Sequence, residues 1–435
     1  ETFKKMLPFK LTAAQERAAS DIVNDFSKNS AMNRLLQGDV GSGKTIIAAI
    51  GALTASHNGK RSMIMAPTEI LAKQHFATLS KLFDSLDITV SLITSSDKKL
   101  SKNSTKKMKE VDAHIIVGTH ALLEDKYEIS DVGFVVIDEQ HRFGVKQRAR
   151  LRQKGETAHT LTMTATPIPR TIMLTVHGDL DISVLDEMPV GRLPIKTRVV
   201  APEKRATAYI WIQQKILSAT PHQQAFIVCP FIEPSETLTT VKAVTQEFAH
   251  LQKNIFPKLK LALLHGKMKS ADKDQVLSDF RNGTYDILVA TPVVEVGIDI
   301  PNATIMVIEA ADRFGLAQLH QLRGRVGRGD VQSFCLLFNS SSAPVHNQRL
   351  QSMETTHNGI ALAELDLKIR GPGTVYSTEQ HGRPAFRIAS YEDFHLLNQV
   401  TPLVTEILTA DPSLSNHPHL KERVVSGTIE EVTPD

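Results

Sequence analysis

With 435 residues the chain exceeds one typical core, and a prior of about 150 residues per domain gives two or three domains. Its 41% apolar and 22% charged content is ordinary for a globular protein, and a net charge of only +3 means that any nucleic-acid partner cannot be argued from total charge. Aromatic residues make up 5%, which argues against single-strand binding by extensive base stacking.

In chain order, the first informative stretch is Arg34-Leu-Leu, an apolar run that enters Gln37-Gly-Asp-Val-Gly-Ser-Gly-Lys-Thr45 and leaves through Ile46-Ile-Ala-Ala-Ile. Gly38 to Thr45 reads G-x-x-x-x-G-K-T in the strand, loop and helix context of a phosphate loop. Gly38, Gly41 and Gly43 are expected to take positive φ angles, so that backbone N–H groups around Ser42 point inward while the next helix adds its positive end. Lys44 then reaches the β- and γ-phosphates of ATP, and the Thr45 hydroxyl is a ligand for Mg2+.

Strands are predicted at Met63–Ala66, Ile88–Ile93, Ala113–Val117, Phe134–Ile137 and Thr160–Met163. The fourth runs into Asp138-Glu139-Gln140-His141. Two carboxylates in isolation read as a solvated loop. At a strand end, about 90 residues beyond a phosphate loop, Asp138 is expected to hold magnesium and Glu139 to orient and deprotonate a water.

A polar stretch with two prolines, Asp186 to Pro194, reads as a linker between about residues 187 and 196. A second strand series follows at Ala225–Cys229, Lys260–Leu264, Ile287–Ala290, Ile305–Ile308 and Ser333–Phe338. Nearly continuous apolar strands separated by helices imply parallel sheets covered on both faces, twice over: an α/β fold with two tandem domains. Cys229 and Cys335 lie in apolar runs and read as small core residues, with no disulfide framework or metal site implied. Beyond residue 340 the pattern weakens towards Arg370-Gly-Pro-Gly373 and a polar tail, giving an expected division into 1–190, 191–345 and 346–435. No signal peptide and no apolar run of about 18 residues is present, so no membrane partner is expected and a cytoplasmic location is the default.

These motifs together resemble a superfamily 2 helicase or translocase. Ala66-Pro-Thr-Glu69 is similar to its first nucleic-acid-contacting motif, Gly118-Thr-His-Ala121 to the next, and Thr164-Ala-Thr166 to the motif that couples hydrolysis to domain movement. His265-Gly266, Ala290 to Asp299 and Gln321-Leu-Arg-Gly-Arg-Val-Gly-Arg328 continue the series in order. Over roughly residues 7 to 400 the narrower resemblance is to the RecG family of branched-DNA helicases, carried by Phe9 to Gln15, Gln37 to Lys44, Asp138 to Val145 and Asp366-Leu-Lys-Ile-Arg-Gly-Pro-Gly373.

The resemblance implies two RecA-like P-loop domains with a short C-terminal extension, ATP and Mg2+ as cofactors, and duplex or branched DNA as partner. It implies that Gln15 reads adenine and that Arg325 and Arg328 are arginine fingers, each such group contributing about 10³ to 10⁵ in rate. Coupling is implied for Gln140, His141, Thr164, Thr166, Asp299, Gln321 and Arg370, and DNA contact for Thr68, Thr119 and His120. Thr164 and Thr166 read equally well as strand-end caps, and Arg323, Arg325 and Arg328 have the alternative of a solvated basic turn. The lysine run from Asp97 to Lys109 reads as a solvated loop or a DNA-facing patch.

The family carries glycine and serine where this chain has Ser377 and His381, which bears on coupling rather than hydrolysis. It also carries an N-terminal wedge domain that nothing before Glu1 supplies, so ATP hydrolysis is expected with weak fork unwinding. The competing readings are a transcription-repair-coupling type of duplex translocase, an RNA helicase, and a nucleotide-regulated DNA-binding module with little turnover.

Overall fold

The structure is a computed structural model that describes residues 2–101, 109–123, 127, 129–139, 158–167, 180–189, 191, 193–230, 237–292, 300–340, 344–370 and 394–426. Among the described residues fourteen strands form two sheets, and every pairing but one is parallel. The first sheet contains β1 (Asn33–Gly38), β2 (Arg61–Met65), β3 (Val90–Ile93), β4 (Lys98–Leu100), β5 (Ile115–Gly118), β6 (Val132–Asp138), β7 (His159–Thr164) and β8 (Asp181–Leu185), in the order β4-β3-β5-β2-β6-β7-β1-β8. The second contains β9 (Lys196–Val200), β10 (Gln224–Val228), β11 (Leu261–Leu264), β12 (Ile287–Ala290), β13 (Ala303–Ile308) and β14 (Phe334–Phe338), ordered β11-β12-β10-β13-β14-β9.

The continuous apolar runs follow from burial on both faces, because successive strand residues point to opposite sides. In β6, Phe134 and Val136 pack on the face covered by the helices Ala13–Phe26, Lys44–His57 and Glu69–Leu82, while Val135 and Ile137 pack on the other. In β10, Phe226 and Val228 likewise face one core, and Ala225 and Ile227 its opposite. Cys335 in β14 and Cys229 after β10 are buried in these layers, where burial pushes both thiols up to about 12.

Three strands went unrecognised in the sequence. β8 and β9 are short and only partly buried, with polar residues interrupting them, and β4 is an edge strand that pairs antiparallel with β3. β4 also corrects the reading of the lysine run as loop throughout: Lys98 sits 5.1 Å from the Tyr127 ring centroid, and residues 102–108 of the run lie outside the described residues.

The chain divides into two compact units, Glu1–Pro167 with Asp181–Asp366, and Ile168–Leu180 with Leu367–Asp435. The first holds both sheets. In the second, the described elements include the helices Phe394–Ala410 and Pro418–Ser426, the former exposing Leu396, Val400, Leu403 and Leu408. Among the described residues no helix is long and apolar enough to cross a membrane.

Candidate nucleotide site

The carboxyl ends of the first sheet converge on one cleft. β7 lies between β1 and β6, with Gln37 opposite Thr164 and Asp138 opposite Met163. The end of the phosphate-loop strand, the paired carboxylates and the Thr164 segment are therefore neighbours by register, at the edge where ligands of open parallel sheets bind.

The loop from Gly38 to Gly43 leads into the helix Lys44–His57, with Gly41 at φ +84° and Gly43 at φ +89°. Gly38 corrects the expectation of a third positive angle: it is needed for space, since a Cβ there would sit 2.5 Å from Ser42 Oγ and 2.8 Å from Leu185 Cβ. Gln15 braces the loop from behind. Its Nε2 donates to Ser42 O at 2.8 Å, and its Oε1 accepts from Thr12 N at 2.9 Å, closing a capping box on the helix Ala13–Phe26.

Lys44 Nζ donates to Gly38 O at 2.7 Å and Asp39 O at 3.1 Å. Burial lowers its pKa, against the opposing pull of Glu139, Asp138 and Asp39. For Asp138, burial alone would raise the pKa; the His75 bond and the charges of Lys44 and Arg325 outweigh it and hold the carboxyl below its usual range. His75 Nε2 lies 2.8 Å from Asp138 Oδ2. Glu139 goes the other way, raised by burial and by Asp138 beside it. Burial and neighbouring charge thus set the two adjacent carboxyls apart, one favouring the anion and the other the protonated form.

Glu139 has φ +52°, a left-handed conformation unusual for a non-glycine residue and frequent at functional sites. The Thr164 hydroxyl donates to its Oε2 at 3.3 Å and Ala165 N to its Oε1 at 3.2 Å. Thr166 N donates to Thr164 Oγ1 at 3.0 Å, and Gln321 Nε2 donates to Thr166 Oγ1 at 2.6 Å. A hydrogen-bonded chain thus runs from Glu139 through the Thr164–Thr166 segment to the helix Leu316–Arg323 of the second lobe.

The cleft has a volume of about 520 Å3. From the first lobe Lys44, Thr45, Asp138 and Glu139 line it, and from the second Gln321, Arg325 and Arg328. Arg323 departs from the solvated-turn alternative: it is 3% exposed and donates to Met353 O, Thr356 O and His357 O. Thr68 spends its oxygen as the N-cap of the helix Glu69–Leu82, accepting from Leu71 N. The expected offering of the Thr119 hydroxyl to DNA is corrected, since Thr119 is 2% exposed with Oγ1 buried; the exposed side chain at that corner is His120. Gln140, His141, Asp299, Ser377 and His381 lie outside the described residues, as does the side chain of Arg370, which ends the helix Gly359–Arg370.

Sequence reading missed His75 and Gln74 on the cleft wall, and the Lys73–Asp274 ion pair at 3.3 Å between the two lobes. A histidine and a glutamine on a half-apolar helix carry no ligand spacing; only the approach of β6 gives His75 its partner.

Residues 12–175 match the DEAD/DEAH box helicase family, and residues 208–330 the Helicase conserved C-terminal domain. The ATP-dependent DNA helicase RecG of Synechocystis sp. is 47% identical over 98% of this chain, and that of Bacillus subtilis 45% identical over 94%. Over nearly its whole length the chain is similar to RecG helicases. It spans about half the length of the curated RecG relatives it matches, 51% and 60% for these two. A RecG structure bound to a three-way DNA junction superposes with a TM-score of 0.74 at 41% identity, covering 91% of this chain and 51% of that one. Dbp5 of S. cerevisiae, bound to RNA and ADP BeF3, shares the fold at 18% identity and a TM-score of 0.57. The two sheets are therefore paired RecA-like domains, similar to those of the junction-bound RecG.

Proposed function

We propose that this chain hydrolyses ATP and converts the hydrolysis into movement on duplex DNA, remodelling branched DNA such as stalled forks and Holliday junctions in cytoplasmic repair and recombination. One observation carries the reading: Lys44, Asp138 and Glu139 share a cleft with Arg325 and Arg328 from the other lobe, and Gln321 joins the two lobes through Thr166. The junction-bound RecG supports DNA as the partner.

The roles follow from the chemistry of each group. Lys44 leaves the carbonyls of Gly38 and Asp39 for the β- and γ-phosphates, while Gln15 holds the loop and sits where the family reads adenine. Glu139, raised by burial, orients the attacking water and takes its proton. Arg325 and Arg328 bring rigid guanidinium donors to the charge developing on the γ-phosphate. Thr45 and Asp138 present hard oxygen donors on one wall, which fit Mg2+ and would hold it there. When bound, that ion would supply neutralisation of phosphate charge.

Because the arginines come from the second lobe, turnover requires closure. DNA contact is assigned to Thr68 and His120, and Thr164, Thr166 and Gln321 transmit the state of Glu139.

The test is ATP hydrolysis without nucleic acid, with duplex DNA, with a model fork and with RNA, alongside Glu139→Gln. Stimulation by duplex or forked DNA that disappears in the variant is expected. Stimulation by RNA alone, or nucleotide binding with no turnover under any condition, would overturn the reading.

A further inference from the structure

A third contact joins the lobes, and it falls on the phosphate loop itself. His320 Nε2 lies 2.9 Å from Asp39 Oδ1, with the His320 side chain 7% and the Asp39 side chain 24% exposed. On the far side of the ring, Nδ1 is 2.8 Å from Arg323 Nη2. A guanidinium only donates, so Nδ1 accepts, and Nε2 carries the proton that goes to Asp39. Arg323 is fixed in turn by three main-chain carbonyls between Met353 and His357. The Gly359 N–H supplies Asp39 with a second donor. Any side chain at Gly359 would collide there, its Cβ lying 2.5 Å from Asp39 Oδ1 and 2.8 Å from His320 Nε2.

Asp39 therefore has two faces. Its carbonyl accepts from Lys44 Nζ at 3.1 Å and from Ser42 N at 3.1 Å, within the phosphate loop; its carboxylate is held by donors from the second lobe. A carboxylate on a loop that must bind a polyphosphate is electrostatically adverse, and the penalty grows when the carboxylate lacks donors of its own. Docking of the second lobe supplies those donors. His320 and Gln321 are consecutive, so one helix reaches both the phosphate loop and, through Thr166 and Thr164, Glu139.

We propose that Asp39 and His320 are a positioning pair for ATP hydrolysis, whose contact lets the phosphate loop act only when the second lobe is docked upon it. The proposal rests on the reading of the cleft as an ATP-hydrolysing site. By reciprocity, a contact that favours nucleotide in the docked state makes nucleotide favour docking.

The experiment compares the unaltered chain with Asp39→Asn, His320→Leu, His320→Gln and the double variant Asp39→Asn/His320→Leu. For each, kcat and KM for ATP are measured with duplex DNA, and thermal unfolding is followed in parallel. His320→Leu is expected to lower kcat about tenfold, and the double variant to be no worse than the weaker single variant, the signature of shared function. His320→Gln keeps an N–H donor near the Nε2 position and is expected to remain within about threefold of the unaltered chain. Equal losses in His320→Leu and His320→Gln, or losses that multiply in the double variant, would overturn the pair while leaving the ATPase reading intact. If His320→Leu does not fold, Asp39→Ala, which removes the acceptor that Asn would keep, decides alone: unchanged kcat refutes the proposal and a loss without a fall in unfolding temperature supports it. An unaltered chain with no DNA-stimulated hydrolysis would instead remove the ATPase reading, and the pair with it.

Discussion

Arg34 shows how much a single side chain in β1 organises. It is 8% exposed, donates to Asp25 Oδ2 at 2.7 Å and to Ser183 Oγ at 2.9 Å, and so ties the helix Ala13–Phe26 and β8 to the strand that feeds the phosphate loop. Burial pushes the Asp25 carboxyl up, but the bonds from Arg34 and Lys28 outweigh it and leave the pKa below its ordinary 3.8. A lowered carboxylate contributes stability that is present above the unfolded-state value and is lost as the pH falls through the folded one. Asp25→Asn is expected to destabilise the chain by about 3 kcal/mol at neutral pH, by stranding part of a buried cation. Chemical denaturation should also show a smaller acid-induced loss in the variant, and equal pH profiles would show that Asp25 has no such role. In the cleft, Glu139→Gln keeps size but cannot take a proton, so turnover should fall by about 10² to 10⁴ while nucleotide still binds. Titration of a fluorescent ADP analogue would separate this from a loss of binding.

At the scale of elements, the phosphate loop depends on a neighbour that its own sequence does not contain, Gln15. Gly43 is the N-cap of the helix Lys44–His57 at φ +89°, and a Cβ there would lie 2.3 Å from Gln15 Nε2. Gly43→Ala therefore combines backbone strain of about 1 to 3 kcal/mol with displacement of the Gln15 brace, and should weaken nucleotide binding at least about tenfold. Gly59→Ala carries a comparable angle, φ +69°, with nothing within 4 Å, and should leave the nucleotide Kd unchanged. Calorimetric titration of both variants distinguishes local collision from general strain. The loop itself was legible from its residues, because glycine and lysine spacing is a local requirement. The brace was half legible: Thr12 and Gln15 spell a capping box, but which carbonyl Gln15 Nε2 reaches depends on how the helix packs.

At the scale of the whole molecule, the contacts between the lobes differ in weight. Lys73 reaches Asp274 at 3.3 Å and Asp97 at 2.9 Å, with all three side chains about a third exposed. Such pairs contribute about 0 to 1 kcal/mol, so Asp274→Ala should change DNA-stimulated turnover less than about threefold. The Gln321–Thr166 bond is short, partly buried and in line with Glu139. Gln321→Ala is expected to lower DNA-stimulated turnover about tenfold with nucleotide affinity nearly unchanged. Equal loss of affinity and turnover would show that Gln321 only supports the site's structure.

The sequence by itself determined the two parallel α/β layers, since strands buried on both faces must be apolar throughout, and it made the motif groups of the cleft legible, since Lys44, Thr45, Asp138 and Glu139 stand in motifs whose spacing is set by one strand and one turn. Only the tertiary structure decided the partners of those groups. Register placed Thr164 between the phosphate-loop strand and Asp138, helix packing brought His75 to Asp138, and docking of the second lobe brought His320 to Asp39. Those pairs span 63 residues in one case and most of the chain in another, and no local pattern records them. Hydrogen-bond partners at such separations are fixed by where the cores place their elements, which is a property of packing and not of spacing.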